Sequence, residues 1–225
     1  LSILLLRFSG WINDRFILRG FENQKELVQD RNIGAGAVLA GTYIASGLVL
    51  AGALGGRVDP EVIGAGAGAG ERLLHGLASA GVFFVLGQVV LIIYGRLYEA
   101  LSKHHPLAAI EADYEVDGVF FGGNGAAGIA LGGNFAAMGI VLWGATAGDF
   151  TSWTTNLANF GAIAAAGLVL LPLWRIFVEH VLMRKADLPR EIYEKRNPNA
   201  GLVETITLIG FATVLAVLTA AGRGG

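Results

Sequence analysis

A short polar segment occurs twice in this chain, 165 residues apart, and each copy leads into a long apolar run. The first copy, 25–32, reads Lys-Glu-Leu-Val-Gln-Asp-Arg-Asn, and the second, 190–197, reads Arg-Glu-Ile-Tyr-Glu-Lys-Arg-Asn. Both copies end by opening an Asn-x-x-Ala-Gly motif, at Asn32 and Asn197, and a third such motif begins at Asn124. A unit that is used three times in 225 residues predicts a fold built from repeated helical elements.

Five apolar runs are each long enough to cross a membrane as a helix, which takes about 20 residues. We predict these spans at 33–56, 72–98, 125–148, 154–180 and 198–221. A shorter apolar piece, 1–12, reads as the end of a further helix, and because the chain starts at Leu1 we expect the true N-terminus to be missing or processed. The sequence therefore predicts an all-α, polytopic transmembrane bundle of about six spans.

The order of apolar and polar segments predicts three helical hairpins, with boundaries at 1–56, 57–148 and 149–225. Each hairpin turns through a polar segment, and these polar turns are 13–32, 99–123 and 181–197. The turns hold most of the Lys and Arg residues, so the positive-inside rule places them on the cytoplasmic side or its organellar equivalent. We call this the turn side of the membrane.

Composition agrees with a membrane protein and excludes several other classes. The chain is 54% hydrophobic and only 15% charged, whereas soluble domains carry about 25% charged residues. The net charge of −2 gives no reason to expect a nucleic-acid partner. There is no cysteine, which excludes disulfides, thiol catalysis and thiolate metal ligands. We expect the lipid bilayer, and other membrane chains or copies of this one, as the partners.

Each motif asparagine stands where a polar segment passes into a predicted helix, so we expect Asn32, Asn124 and Asn197 to be N-caps. The motif glycine after each cap begins a pair of small residues, and such pairs let helices pack closely in lipid. These pairs are Gly36–Ala40, Gly128–Gly132 and Gly201–Thr205, and further packing glycines are predicted at Gly41, Gly47, Gly133 and Gly139. An alternative interpretation is that the three capped helix ends converge and favour an anion.

Four polar side chains inside the predicted spans are candidates for a polar path: Glu204, Gln88, Asn134 and Thr42. An ionisable residue within a span is costly, which makes Glu204 a functional candidate by default. The alternative is a Glu204 at headgroup depth that pairs with Arg175 or Arg196. For Gln88 an interhelical hydrogen bond is the simpler interpretation, and Thr42 and Asn134 can hydrogen-bond across a helix groove.

The remaining polar groups do not form a recognisable catalytic or cofactor site. His104 and His105 precede Glu111, Asp113, Glu115 and Asp117, but the spacing fits neither zinc nor calcium patterns, and a solvated acidic loop is the simpler interpretation. The Gly-rich stretches lack the Gly-Lys-Ser/Thr of a phosphate loop. We therefore expect no enzyme activity, cofactor or metal; an intramembrane enzyme would need Glu204 and His180 close together in a cavity.

The pattern Glu26…Asp30-Arg31-Asn32-x-x-Ala-Gly…Ala40-Gly41, with its echo at Glu191…Arg196-Asn197-x-x-Ala-Gly, resembles a bacterial membrane-protein family known as domain of unknown function 350. The resemblance covers roughly residues 12–222. It implies a small multi-helix inner-membrane protein with duplicated helix pairs, and it implies no established reaction or cofactor. The middle copy departs from the pattern because no Glu and Arg precede Asn124 in the same way.

Two functional hypotheses follow. The first is a structural or accessory subunit that associates with itself or with other membrane subunits through its Gly/Ala-rich helix faces. The second is a small channel or transporter for ions or small solutes, with a polar path near Glu204.

Overall fold

The computed structural model of the chain describes residues 2–18, 25–64, 66, 68–116 and 119–221. Its helices are α1 (Ser2–Ile12), α2 (Ile33–Gly55), α3 (Pro60–Ile63), α4 (Ala69–Leu101), α5 (Pro106–Glu111), α6 (Gly125–Thr146), α7 (Trp153–Phe177) and α8 (Pro198–Ala221). Two short strands, β1 (Tyr114–Val116) and β2 (Val119–Phe121), pair antiparallel between α5 and α6. Four π-helical turns occur at Asn13–Ile17, Lys25–Gln29, Val178–Leu182 and Arg190–Glu194.

Within the described residues, five helices are long and apolar enough to cross a membrane: Ile33–Gly55, Ala69–Leu101, Gly125–Thr146, Trp153–Leu182 and Pro198–Ala220. They match the five predicted spans to within a few residues at each end. The prediction of an all-α, multi-pass membrane fold is therefore confirmed. Helix α1 adds a shorter apolar helix in front of them, whereas the division into three hairpin units stays a prediction.

Helix α6 is the centre of the bundle, and 83% of its apolar stretch is buried. The other two motif helices, α2 and α8, pack on either side of it and run parallel to it. At both interfaces the backbones come close, because a Cβ atom added to Gly41 would overlap the backbone of Gly132, and one added to Gly201 would lie 2.5 Å from the carbonyl oxygen of Ala126. Small residues thus bring the three motif helices close together.

The two interfaces of α6 use corresponding positions. Gly128 of α6 lies against the backbone of Gly34 in α2, and Gly201 of α8 lies against the backbone of Ala126 in α6. Ala126 stands 92 residues after Gly34, the spacing that also separates Asn124 from Asn32. Gly128 and Gly201 therefore each pack against the motif helix that precedes theirs in the chain.

This arrangement corrects the expected packing face of α2. The pair Gly36–Ala40 does not contact another motif helix: Ala40 is exposed, and Gly36 meets only the side chain of Leu27, 3.4 Å from an added Cβ. Gly47 likewise has no atom within 4 Å of an added Cβ. In the described residues, no motif helix packs against this face of α2.

Candidate functional site

The motif asparagines bind the chain itself. Asn32 Oδ1 accepts a hydrogen bond from the backbone N–H of Ala35 at 3.0 Å, and Asn124 Oδ1 accepts one from Ala127 at 3.1 Å. Their amide groups donate to neighbouring segments, Asn32 to the carbonyl of Ile110 at 2.7 Å and Asn124 to that of Ile192 at 2.9 Å. These contacts tie each helix start to the segment that leads into the next motif helix. The asparagine side chains are thus engaged with protein groups and do not present themselves to an anion.

The third motif asparagine shares with the first a hydrogen bond to the glutamate six residues before it. Asn197 Nδ2 donates to Glu191 Oε2 at 3.1 Å, and Asn32 Nδ2 donates to Glu26 Oε2 at 2.8 Å. On Glu191, these hydrogen bonds from Lys195 and Asn197 lower the carboxyl pKa. The two segments therefore share contacts as well as sequence, 165 residues apart.

The residue before each cap has a left-handed backbone, with φ of 51° at Arg31, 58° at Gly123 and 53° at Arg196. This conformation costs a non-glycine residue roughly 1–2 kcal/mol. At Gly123 a side chain is also excluded by space, because an added Cβ would overlap the carbonyl oxygen of Ile110. The middle motif departs from Arg at this position for that steric reason.

Glu204 of α8 is the acidic residue at the centre of a buried polar network, and only 3% of it is exposed. Its Oε1 lies 3.0 Å from Arg175 Nε, accepts a hydrogen bond from Asn134 Nδ2 at 3.0 Å, and accepts another from the Tyr98 hydroxyl at 3.2 Å. A buried carboxylate is stable only when it is paired and hydrogen-bonded in this manner. Of the two partners considered from sequence, Arg175 is the one that Glu204 contacts.

Aromatic residues complete the network. The hydroxyl of Tyr94 donates to Asn134 Oδ1 at 2.7 Å, and the guanidinium of Arg175 lies 4.4 Å from the centre of the Tyr98 ring. The Tyr98 and Tyr193 hydroxyls are 3.2 Å apart. Burial raises the pKa of Tyr193, which lies outside the spans, against the opposing charge of Arg175. The Tyr193 phenol therefore stays neutral.

A cleft of about 420 Å³ leads from the turn side to this network. Tyr94, Tyr98, Asn134 and Arg175 line it, together with the apolar side chains of Leu101, Pro172 and Ile176. Charged or titratable residues also line it, namely Lys103, His104, Glu179, His180 and Asp187. The ion pair between Arg175 and Glu204 joins Nε to Oε1, and the Arg175 side chain also lines the cleft.

The four candidate path residues fall into two groups. Glu204 and Asn134 belong to the network described above. Thr42 and Gln88 lie in a second cluster between α1, α2 and α4, where Gln88 Nε2 donates to Ser46 Oγ at 3.0 Å and Asn13 Nδ2 donates to Thr42 Oγ1 at 2.7 Å. The structure therefore does not bring all four to one path.

A second cleft, of about 730 Å³, opens at the opposite end of the bundle. Its polar lining includes Arg57, Asp59, Arg72, Asp149 and Asn156. Phe83 of α4 lies at its inner end and packs against Phe160 of α7, with ring centres 5.6 Å apart. Phe83 and Tyr94 are 11 residues apart on α4, about 16 Å along a helix, so the two clefts reach different levels of the bundle.

The loop that carries His104 and His105 gives no metal site in the part of the chain that the structure describes, where no three His, Asp or Glu side chains group around a common point. His104 stacks on the ring of Tyr193 at 4.9 Å, and His105 Nδ1 lies 3.9 Å from Glu99. Asp117 lies outside the described residues. His180 lines the cleft, and its Nδ1 contacts the carbonyl oxygen of Ile176 at 3.0 Å rather than Glu204.

Sequence reasoning missed the tyrosines of the network. Tyr94 and Tyr98 are one helical turn apart and therefore share a face of α4. The sequence signal for a polar network was the pair of tyrosines on one face of a predicted span, because a buried hydroxyl needs a hydrogen-bond partner. Arg175 was identified only as a possible partner of Glu204.

The fold and this network define a multi-pass helical membrane protein with a charged site inside the bundle. The family model Domain of Unknown Function (DUF350) matches residues 1–60 and 72–219, and the chain belongs to this family, as the sequence resemblance predicted. It is also similar to a UPF0719 transmembrane protein of Aquifex aeolicus (strain VF5), with 27% identity over 210 residues that cover 92% of this chain and 69% of the relative. No solved structure matches. Neither description names a reaction, and the absence of enzyme activity stays a prediction.

Proposed function

We propose that this protein is a carrier for a small charged solute, with the Arg175–Glu204 pair as its binding site. The observation that carries the proposal is a buried ion pair at the inner end of a cleft that opens on one side of the membrane. A buried ion pair is weak evidence for stability, because well-packed apolar residues often serve as well. A charged pair inside the membrane is therefore better explained by a ligand or ion that it binds.

The chain itself contains an uncharged counterpart of the Arg175–Glu204 pair. The positions 165 residues before Arg175 and Glu204 hold Gly10 and Leu39, which belong to the corresponding helices α1 and α2. Leu39 is buried, so this packing scheme accepts an apolar residue where α8 has a carboxylate. Arg175 and Glu204 are thus charged at positions where the corresponding helices have uncharged residues, which supports a functional role for the two charges.

The two clefts favour a carrier over an open channel. Each cleft reaches into the bundle from one end, and the aromatic contact between Phe83 and Phe160 lies between them. A carrier needs such a barrier on one side of its binding site, since the site must open to only one side at a time.

Reconstituted proteoliposomes test the proposal. Flux of small inorganic and organic ions would be measured for the wild type, Glu204→Gln and a matched control, Glu194→Gln, which makes the same chemical change on an exposed turn. We expect Glu204→Gln to change the flux of the transported ion by at least about tenfold, which is about 1.4 kcal/mol. The control should remain at the wild-type rate. Absence of flux for every solute tested, with folded protein in the vesicles, would rule the proposal out.

A second candidate function is association between copies of this chain, the hypothesis that the packing glycines first favoured. Gly41, Gly132, Gly133 and Gly139 are engaged within the chain, so they are not available to partners. What supports association is the uncovered face of α2, formed by Gly36, Ala40 and Gly47. These positions correspond to Gly128, Gly132 and Gly139, which pack on the preceding helix.

The native mass of the protein in nanodiscs tests this second candidate. An assembly larger than one chain that is disrupted by Ala40→Leu would support it, because leucine would fill the uncovered face. Ala165→Leu is the control, since Ala165 is exposed on α7 and away from that face. A monomeric wild type, or equal disruption by both variants, would count against it.

A further inference from the structure

We infer that the cleft on the turn side takes up a small organic monocarboxylate together with one proton. The carboxylate replaces Glu204 on the guanidinium of Arg175, and the displaced Glu204 accepts the proton. This inference rests on the proposed carrier function and names its substrate class and its coupling ion.

The geometry of Arg175 supports a carboxylate ligand. Its Nε pairs with Glu204, its guanidinium lies over the Tyr98 ring, and its side chain lines the cleft, where a ligand can reach it. A guanidinium is a planar fork that binds a carboxylate through two parallel hydrogen bonds. Apolar and aromatic walls, from Tyr94, Leu101 and Ile176, suit the hydrocarbon part of an organic acid better than a bare halide ion.

Charge balance supports the accompanying proton. Arg175 and Glu204 together are neutral, so a second carboxylate at the same place would leave one uncompensated negative charge inside the membrane. Such a charge is strongly disfavoured even after the protein relaxes. One proton on Glu204 restores neutrality. A doubly charged anion would need a second proton, for which the network holds no second carboxylate.

Glu204 is the group in this network that can take the proton. The groups that face it are Tyr94 and Tyr98 from α4, Asn134 from α6, Arg175 from α7, and Tyr193 from the turn before α8. Phenols are neutral in the physiological pH range, and Asn has no basic site, so none of them accepts a proton there. Once protonated, Glu204 keeps the hydrogen bonds that Asn134 and Tyr98 donate to it, which limits the cost of separating it from Arg175.

The route of the proton is the cleft itself. Protons enter from the aqueous phase on the turn side, past Lys103, His104, Glu179, His180 and Asp187. These five side chains are all ionisable and lie along the same cleft as Glu204's partners. The experiment must therefore separate their effect from that of Glu204.

Calorimetry on the purified protein in nanodiscs of uncharged phospholipid tests the inference, with benzoate and acetate as probes. Binding in two buffers of different ionisation enthalpy gives the number of protons taken up per carboxylate. We expect one proton for the wild type and an affinity that falls about tenfold per pH unit where Glu204 is ionised. Glu204→Gln should bind the probe without proton uptake and with a flat pH profile, because the amide is already neutral.

Two further variants complete the design. Glu179→Gln changes a carboxylate at the cleft wall and should retain the uptake of one proton, whereas Arg175→Gln should abolish binding. Equal proton uptake by the wild type and Glu204→Gln would overturn the inference, as would tighter binding of chloride or phosphate than of benzoate. Flux of another solute without carboxylate binding would overturn this inference alone and leave the carrier function standing. Proton-linked binding without flux would support the site and refute transport.

Discussion

At the scale of single residues, the position before the N-cap Asn124 has a left-handed backbone conformation and requires glycine. Gly123 has a φ of 58°, and an added Cβ would overlap the carbonyl oxygen of Ile110. Arg31 and Arg196 take the same conformation with a side chain, which shows that the backbone cost alone is tolerated. The steric overlap is what distinguishes the middle copy, and it explains why the sequence pattern breaks there.

We therefore expect Gly123→Ala to destabilise the protein by about 2 kcal/mol or more, from strain that the surrounding loop cannot relieve. Gly161→Ala is the matched control, because Gly161 is in helix α7 and an added Cβ meets no atom within 4 Å. That control should be neutral or stabilising by roughly 0.5–1 kcal/mol, since glycine is a poor helix residue. Thermal unfolding in detergent measures both, and equal stability of the two variants would contradict the steric account.

At the scale of helices, the packing of α2 shows what a repeat in sequence can and cannot predict. The small-residue pairs at Gly128–Gly132 and Gly201–Thr205 lie in helix contacts, but the corresponding pair at Gly36–Ala40 does not. The sequence pattern of one helix shows which of its faces carry small residues, but it does not show which neighbouring helix packs against each face. Which helix covers a face is a tertiary property, and in the described residues α6 packs against another face of α2, at Gly41.

One face of α2 packs against α6 and another does not, so a glycine on each face can be substituted and the two losses of stability compared. Gly41→Ala should destabilise the protein by about 1–3 kcal/mol, because the added methyl group overlaps the backbone of Gly132 and forces α2 and α6 apart. Gly47→Ala, six residues further along the same helix, should not destabilise the protein, since the added methyl group meets no atom within 4 Å. Unfolding curves of the two variants in one detergent give the answer. A larger loss for Gly47→Ala would mean that the face we describe as uncovered is in contact with something.

At the scale of the whole molecule, the fold was more predictable than the site. The spans followed from hydropathy, because a helix in lipid must be long and apolar whatever it packs against. Glu204 was found for a related reason, since a carboxylate in a span is conspicuous. Tyr94 and Tyr98 were not, because aromatic residues in a span are usual in a core, and only the assembled bundle places their hydroxyls near a charged pair.

A double substitution separates stability from function for the molecule as a whole. Glu204→Leu alone leaves Arg175 buried without its partner and should cost about 3–5 kcal/mol. Combining it with Arg175→Met removes both charges and leaves two uncharged residues, like Gly10 and Leu39 at the corresponding positions of α1 and α2. The double variant should regain stability to within about 1 kcal/mol of the wild type or better. If the pair serves a ligand, the double variant will fold and will neither bind carboxylate nor carry solute. Unfolding and flux measured on the same preparations decide this, and a stable double variant with wild-type flux would remove Arg175 and Glu204 from the functional site.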